Sequence, residues 1–397
     1  MSRVLSGLER FLDPTVATPV ISAGARIGLL CHPASIDAEG RHAVERIRRH
    51  ARYRLVKLFA PEHGVSGEAQ DMEAVGETKD AASGLPVVSL YGSDTGSLAP
   101  SPADLEGLDA VVCDLQDVGS RYYTFVYTIA HVMEAAGTAG MPVVVLDRPN
   151  PIGGIVLEGP VLDPALASFV GRFPIPVRHG MTPGELAQFF RVECDIACDL
   201  RVVTMGGWTR GMRFDDTGLP WVAPSPNMPT TRTAEVYPGG CLVEGTNLSE
   251  ARGTTRPFEL VGAPWLPAGD LVRALRKEDP PGCVFRETTF RPAFQKHAGR
   301  SCAGLQVHVT SFDAFRPLAT YLVLLREAIR VAPGEFDWRR EPYEFESREL
   351  AIDLLLGSRK VRPMLESGAP LADVEATWSE ELTAFRQVRR AHLLYGD

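Results

Sequence analysis

Short apolar runs alternate with amphipathic segments from residue 26 to about residue 205. Runs such as Val143–Leu146 are apolar at every position, which is typical of strands in a sheet that is covered on both faces. The alternation predicts an α/β fold in which helices flank a doubly wound, mostly parallel sheet. We predict strands at 26–31, 53–59, 86–90, 110–115, 142–146 and 200–204, and helices near 39–50, 102–107, 124–137 and 182–192.

The pattern changes in the second half of the chain. Residues 206–258 have the composition of a long loop, and from about residue 259 the predicted strands and helices are mixed. We predict strands at 283–290 and 303–310, helices near 269–277 and 314–331, and further helices in the last 50 residues. A chain of 397 residues is long enough for two hydrophobic cores. We therefore predict a first domain at residues 1–245 and a smaller α+β domain at residues 246–397 that closes over it.

Charge and composition narrow the class of protein. The formal net charge of −9 and the pI of about 5.6 argue against a nucleic-acid partner, which requires clustered basic side chains. The seven cysteines are odd in number and scattered, which predicts free thiols in a reducing compartment and no metal site. The charged N-terminus is unlike a signal peptide, and no apolar run is long enough to span a membrane. We therefore predict a cytoplasmic protein. The sequence lacks Gly-x-Gly-x-x-Gly after the first strand, which indicates no dinucleotide cofactor.

Polar residues follow several of the predicted strands, and Pro61-Glu62-His63-Gly64 follows the second. The proline and glycine turn the chain, so Glu62 and His63 lie at the carboxyl end of a strand, where open α/β sheets bind ligands. Several such ends in one sheet predict a crevice lined by hydrogen-bonding side chains. The alternative interpretation is that Glu62 is an exposed turn residue and His63 an ordinary loop histidine.

The predicted helix at 124–137 supplies another carboxylate. Its apolar stripe includes Val126, Ile129 and Met133, while Glu134 lies on a different face. Glu134 can therefore point into the crevice, or it can belong to the solvated side of the helix.

Two loop regions carry side chains suited to a sugar. Residues 149–185 are rich in proline and glycine yet keep apolar positions, which favours an ordered functional loop. Residues 206–258 combine tryptophans with amides, hydroxyls and an arginine. Aromatic rings stack on the C–H faces of sugars, and polar groups bind their hydroxyls. The alternative interpretation of residues 206–258 is a linker between the domains that its prolines make rigid.

Several ordered strings together resemble the exo-acting β-N-acetylmuramidases, a family of glycoside hydrolases. They are Pro61-Glu-His-Gly64, Asp114-Leu-Gln-Asp-Val-Gly119, Leu146-Asp-Arg-Pro-Asn-Pro-Ile-Gly-Gly154, Glu158-Gly-Pro160, Arg178-His-Gly-Met-Thr182, Pro224-Ser-Pro-Asn-Met-Pro-Thr230, Glu244-Gly-Thr-Asn247 and Arg252-Gly-Thr-Thr255. The resemblance runs from about residue 24 to residue 335. It implies a Rossmann-like first domain, a smaller second domain, and release of terminal β-linked N-acetylmuramic acid from the non-reducing end of peptidoglycan fragments.

The resemblance also implies two catalytic glutamates. Glu62 matches one of them, and we place the second at Glu134, with Glu158 as the alternative. We expect the substrate-binding residues to be His63, Asn150, Arg178, His179, Ser225, Asn227, Glu244, Asn247 and Arg252. An arginine fork suits the lactyl carboxylate that distinguishes N-acetylmuramic acid from N-acetylglucosamine, so Arg178 and Arg252 are the candidates for that role.

Two other classes of protein remain open on the sequence. One is a non-catalytic protein that closes on a muropeptide or sugar. The other is a hydrolase that uses a cysteine or a metal ion, against which we find no His-x-x-x-His motif and no clustered Cys, His and Asp set. The expected partner is a small molecule, either a muropeptide or a fragment in which N-acetylmuramic acid is linked to N-acetylglucosamine.

Overall fold

The structure is a computed structural model that describes residues 3–13, 15, 20–67, 79–92 and 94–397. The strands, in chain order, are β1 (Arg26–Cys31), β2 (Arg54–Ala60), β3 (Val87–Ser89), β4 (Ala110–Asp114), β5 (Val143–Leu146), β6 (Glu158–Val161), β7 (Pro176–Arg178), β8 (Leu200–Val203), β9 (Leu260–Ala263), β10 (Cys283–Phe290) and β11 (Cys302–Val309).

The helices, in the same order, are α1 (Gly7–Phe11), α2 (Ala43–Arg49), α3 (Pro102–Leu105), α4 (Phe125–Thr138), α5 (Pro183–Glu193), α6 (Thr231–Gly240), α7 (Ala268–Glu278), α8 (Pro317–Val331), α9 (Ala351–Leu356), α10 (Val361–Glu366), α11 (Leu371–Ala376) and α12 (Ser379–Arg389). None of the helices within the described ranges is long and apolar enough to cross a membrane.

Six strands form one parallel sheet in the order β3-β2-β1-β4-β5-β8. The strand order runs outward in opposite directions from β1 and β4, which is the arrangement of a doubly wound Rossmann-like sheet. Loops at the carboxyl ends of such neighbouring strands diverge and leave a crevice between them. The six strands are those predicted from the sequence, so the predicted α/β class is confirmed.

Apolar side chains cover both faces of this sheet. On one face, α1 and α2 contribute Leu8 and Ile47 to a cluster with Ile27 and Leu29. On the other face, a larger cluster joins the sheet and α4 to the second half of the chain, where Tyr321 and Ile352 are among its members. The two halves therefore share one continuous apolar core instead of meeting through a hydrated linker.

The second half of the chain contains a smaller sheet of three antiparallel strands in the order β10-β11-β9. Helices α7 and α8 lie nearby, and α8 also packs against α6. Helix α6 lies within residues 206–258, for which the sequence predicts a loop. Strand β9 lies where the sequence predicts no element. Pro238, Gly239 and Gly240 end α6, and these residues conceal its helical pattern in the sequence.

The end of the chain returns to the first sheet. The Tyr395 hydroxyl donates to Asp147, directly after β5, at 2.5 Å. Arg389 donates to the carbonyl oxygens of Gly154, His179 and Gly180 at 3.1–3.3 Å. The last helix and tail therefore brace loops of the first domain, although the predicted division assigns them to the second.

Candidate active site

A partly enclosed cavity lies where the loops of the parallel sheet meet the second half of the chain. Its wall is formed by Glu62, His63, Tyr122, Tyr123, Thr124, Phe125, Phe169, Val170, Ser225, Asn227, Met228, Tyr237, Glu244, Arg252, Phe258, Tyr343 and Glu344. Six of these were predicted as site residues, and we call them the cavity group: Glu62, His63, Ser225, Asn227, Glu244 and Arg252.

Glu62 reaches the cavity because β2 ends at Ala60 and the chain turns at once. His63 and Gly64 have φ angles of 71° and 83°, so two consecutive residues adopt the left-handed conformation. The Glu62 side chain is buried, and the Thr124 hydroxyl donates to its Oε2 at 2.8 Å. Thr124 immediately precedes α4, so the sheet and the first turn of this helix together fix the carboxylate.

Glu244 has a different electrostatic environment. It lies in the short turn Cys241–Gly245 that follows α6. Arg252 Nη2 donates to its Oε1 at 2.6 Å, and the Tyr343 hydroxyl donates to its Oε2 at 2.7 Å. A guanidinium and a hydroxyl directed at the two oxygens favour the charged form of this carboxylate.

Arg252 is held on its other side by a second ion pair. Its Nε lies 3.7 Å from Glu250, and Glu250 is 2.9 Å from Lys296. Burial opposes ionisation of Glu250, but Lys296 and Arg252 outweigh it and lower the pKa of that carboxyl. The chain of alternating charges therefore fixes the guanidinium at the cavity wall.

A tight turn contributes two cavity residues that the sequence analysis did not identify. Tyr343 and Glu346 exchange backbone hydrogen bonds of 2.8 and 3.0 Å, and between them Glu344 and Phe345 have φ angles of 45° and 66°. Two-residue turns with positive φ at both positions favour Asn and Gly, and other residues there cost ~1–3 kcal/mol each. Glu344 lines the cavity and accepts a hydrogen bond from the Tyr91 hydroxyl at 3.1 Å. The sequence carries no turn signal at this position.

Aromatic rings form much of the remaining wall. Tyr123 packs edge-on against Phe125 and Tyr237 with centroids 4.9 and 5.7 Å apart, and Tyr237 packs against Phe258 at 4.9 Å. Burial raises the pKa of Tyr123 and Tyr237 well above the ordinary tyrosine value. The hydroxyls of these rings therefore stay protonated, so the wall combines apolar faces with hydrogen-bond donors, as a sugar requires.

Three predicted binding residues are not part of the cavity wall and contact other groups of the protein instead. The Asn150 amide donates to the Met181 carbonyl at 2.9 Å and accepts from the Ile152 N–H at 3.1 Å. Arg178 pairs with Glu158 at 3.3 Å, and His179 Nε2 lies 3.5 Å from Asp117. We call Asn150, Glu158, Arg178 and His179 the buried network. None of these four lines the cavity, whereas the sequence analysis expects Asn150, Arg178 and His179 to bind the substrate.

Glu134, our choice for the second catalytic residue, is paired with Arg172 outside the cavity wall. Its carboxylate is 2.6 Å from Arg172, and the side chain is 39% exposed. Glu158, the alternative, is buried against Arg178, and this burial raises its pKa. Neither carboxylate is part of the cavity wall, which instead contains Glu62, Glu244 and Glu344.

Asn247 and the two tryptophans also lie outside the cavity. Asn247 borders an adjoining groove, where its side chain binds the Glu335 carbonyl and the Asp337 N–H. Trp208 is buried against Tyr395, and Trp221 packs on Phe214. The rings of the cavity wall are tyrosines and phenylalanines, and of these Tyr237 and Phe258 come from residues 206–258. In the part of the chain that the structure describes, no three His, Cys, Asp or Glu side chains are grouped to hold a metal ion.

Comparison with known proteins identifies the family. A model of the N-terminal domain of the exo-β-N-acetylmuramidase NamZ matches residues 27–232, and a model of its C-terminal domain matches residues 235–395. The chain is 44% identical over 372 residues to the peptidoglycan β-N-acetylmuramidase NamZ of Bacillus subtilis, covering 94% of this chain and 87% of that protein. This chain belongs to the NamZ family.

Two crystal structures of DUF1343 family proteins from Bacteroides fragilis are similar to the NamZ fold seen here. One has a TM-score of 0.88 at 31% identity and covers 99% of both chains. The other has a TM-score of 0.77 at 28% identity over the full length of both chains.

The cavity lies between the two NamZ domains. The family models meet between residues 232 and 235, whereas the sequence predicts the boundary at 245. With either division, Glu62 comes from the first domain while Arg252 and Glu344 come from the second. The site is therefore complete only when the domains are packed together.

Proposed function

We propose that this chain is an exo-β-N-acetylmuramidase that releases terminal N-acetylmuramic acid from the non-reducing end of peptidoglycan fragments. The observation that carries the proposal is a single cavity whose buried glutamates include Glu62 and Glu244, which lie in unlike environments. Glycoside hydrolysis uses such a pair, one as general acid and the other as a charged carboxylate. The family membership and the name of the B. subtilis relative support the same activity.

The environments of the two carboxylates suggest their roles. Arg252 and Tyr343 favour the charged form of Glu244, which suits a nucleophile, a base or a stabiliser of positive charge on the sugar. Glu62 accepts from the neutral Thr124 hydroxyl, and no ion pair joins it to another residue in the described ranges. Glu62 lies in the cavity wall and is oriented by Thr124, so it is our candidate for the general acid. This pair replaces the pair of Glu62 and Glu134 suggested by the sequence.

The substrate is assigned from the charge of the cavity. Arg252 is the only arginine or lysine among the described residues that line it. The lactyl group of N-acetylmuramic acid is a carboxylate, and a guanidinium is well shaped to bind it. We propose that Arg252 binds both Glu244 and this lactyl group, whereas Arg178 is committed to Glu158.

We also propose that the enzyme works in a reducing compartment, the cytoplasm. All seven cysteines are free thiols, and five of them are buried. Disulfides are common in oxidising compartments and rare in the cytosol.

Hydrolysis of chromogenic glycosides tests the proposed activity. The wild-type protein should release the chromophore from the β-glycoside of N-acetylmuramic acid and act far more slowly on the matched N-acetylglucosamine glycoside. A protein that binds the muramic glycoside, as seen by calorimetry, without releasing the chromophore would be the sugar-binding alternative. Equal rates on the two glycosides would contradict recognition of the lactyl group.

A further inference from the structure

Two surface grooves adjoin the cavity from different sides. The first shares Glu244 with the cavity and is also lined by Thr246, Asn247, Lys296, His297 and Arg340; we call it the Lys296 groove. The second shares Phe169 and Glu344 with the cavity and is also lined by Thr95, His131, Arg172 and Phe345; we call it the His131 groove. Each of these grooves offers a direction in which a glycan chain longer than the cavity can extend.

Three interlocked rings, Tyr91, Phe169 and Phe345, lie where the His131 groove meets the cavity, and we call them the aromatic barrier. Their centroids are 5.5 Å apart for Tyr91 and Phe169, 5.9 Å for Tyr91 and Phe345, and 5.5 Å for Phe169 and Phe345. Rings at these separations are in van der Waals contact, so no sugar fits between them.

The Tyr343–Glu346 turn contributes one side chain to the barrier and one beside it. Phe345 packs on Tyr91 and Phe169 and remains 40% exposed, while Glu344 lines both the cavity and the His131 groove. Both residues have positive φ although neither is glycine. Strained conformations of this kind persist at functional sites, where the surrounding structure enforces them.

The side of the cavity that faces the Lys296 groove has a different character. The shared residue is the Glu244 carboxylate, and the groove beyond it presents hydroxyl, amide, imidazole and charged groups. Its charges are mixed, with Lys296 paired to Glu250 and Arg340 paired to Asp337. A polar surface of mixed charge suits a neutral, hydroxyl-rich sugar.

We propose that the aromatic barrier makes the enzyme exo-acting, because it closes the cavity beyond the terminal sugar while the leaving glycan extends into the Lys296 groove. This inference rests on the proposed function. A muramic residue inside a chain carries a further sugar on the hydroxyl that is free at the chain end. That extra sugar would have to occupy the space of Tyr91, Phe169 and Phe345.

Two oligosaccharides test the barrier. The first is the disaccharide in which N-acetylmuramic acid is β-linked to N-acetylglucosamine, and the second is the same disaccharide capped by N-acetylglucosamine at its non-reducing end. Wild-type enzyme should cleave the first and leave the capped trisaccharide intact. Phe345→Ala and Phe169→Ala should cleave the trisaccharide at least about tenfold faster than wild type, which corresponds to about 1.4 kcal/mol. Mass spectrometry should identify the product as the capped muramic disaccharide.

The controls separate opening of the barrier from damage to the fold. Phe294→Ala removes another exposed phenylalanine, 37% exposed, that borders neither the cavity nor the two grooves, and it should behave as wild type. Phe345→Leu keeps apolar volume without the ring and should give a smaller gain. The rate on the uncapped disaccharide and the melting temperature report whether each variant is folded.

Each outcome decides the proposal. Barrier variants that cleave the disaccharide but not the trisaccharide overturn it, and so does a wild-type enzyme that cleaves both. Folded Phe345 variants that lose activity on the disaccharide also overturn it, because the ring would then be required for binding the terminal sugar. If the wild-type protein cleaves neither oligosaccharide, the proposed glycosidase function fails before the barrier is tested.

Discussion

The cavity group and the buried network contain the same kinds of side chain near the same edge of the parallel sheet, but their partners differ. In the buried network, Arg178 is paired with Glu158 and the Asn150 amide bonds to backbone groups. In the cavity group, Arg252 is also paired, with Glu244 and Glu250, but Arg252 and Glu62 form part of the cavity wall. The same kinds of polar side chain thus indicate either a binding site or an internal support, and access to the cavity distinguishes the two.

The largest effect should come from the cavity group. Glu62→Gln keeps the shape of the side chain but removes the proton donor, so kcat on the chromogenic muramic glycoside should fall by ~10²–10⁴-fold. The melting temperature should change little, because the amide oxygen can still accept from Thr124. A variant that keeps more than about a tenth of the wild-type rate would show that Glu62 is not the acid.

The buried network should respond in stability instead of catalysis. Arg178→Met leaves the Glu158 carboxylate buried without its partner, which should lower the free energy of unfolding by about 3–5 kcal/mol in urea titrations. The rate per folded molecule should remain near that of wild type. The double variant Glu158→Gln/Arg178→Met is the control, and it should recover much of the lost stability because no unpaired charge remains. A loss of rate without a loss of stability would place Arg178 in the substrate site.

Selectivity should change more modestly. Arg252→Lys replaces a planar fork by a point charge beside Glu244, so the ratio of kcat/KM for muramic over N-acetylglucosamine glycosides should fall by about tenfold, or about 1.4 kcal/mol. Arg172→Lys, outside the cavity wall, serves as the matched control. An unchanged ratio in Arg252→Lys would mean that another residue reads the lactyl group.

Glu134 should show the smallest effect. Glu134→Gln weakens a half-exposed ion pair with Arg172, which is worth about 0–1 kcal/mol. Its kcat on the muramic glycoside should stay within about twofold of wild type, as expected for a residue that does not contact the reacting atoms. A loss as large as that of Glu62→Gln would return Glu134 to the catalytic pair.

The sheet and Glu62 were predictable because local sequence determines them. Continuous apolar runs such as Val143–Leu146 require cover on both faces, and Pro61 and Gly64 mark the turn that places Glu62 at a strand end. Whether Arg178 faces a substrate or Glu158 depends on pairing across the hairpin of β6 and β7, which the sequence pattern does not reveal. The orientation of Glu134 likewise depends on Arg172, a residue far along the chain.

Glu344 could not be predicted because its conformation opposes the local preference of its sequence. Glu344 and Phe345 adopt positive φ without glycine or asparagine, and tertiary contacts such as the Tyr91 hydrogen bond accompany that conformation. Helix α6 was missed for a related reason, since Pro238 and two glycines disguise its last turn. Both failures occur at segments that line the cavity or lead into it, where packing overrides local propensity.

The most direct test of the central claim is a crystal structure of Glu62→Gln with the uncleaved disaccharide of N-acetylmuramic acid and N-acetylglucosamine. The account predicts the muramic ring in the cavity, with residue 62 and Glu244 on either side of the glycosidic bond and the lactyl carboxylate at Arg252. The N-acetylglucosamine should extend toward the Lys296 groove. A sugar bound instead against Asn150, Arg178 and His179, or against Glu134, would contradict the account.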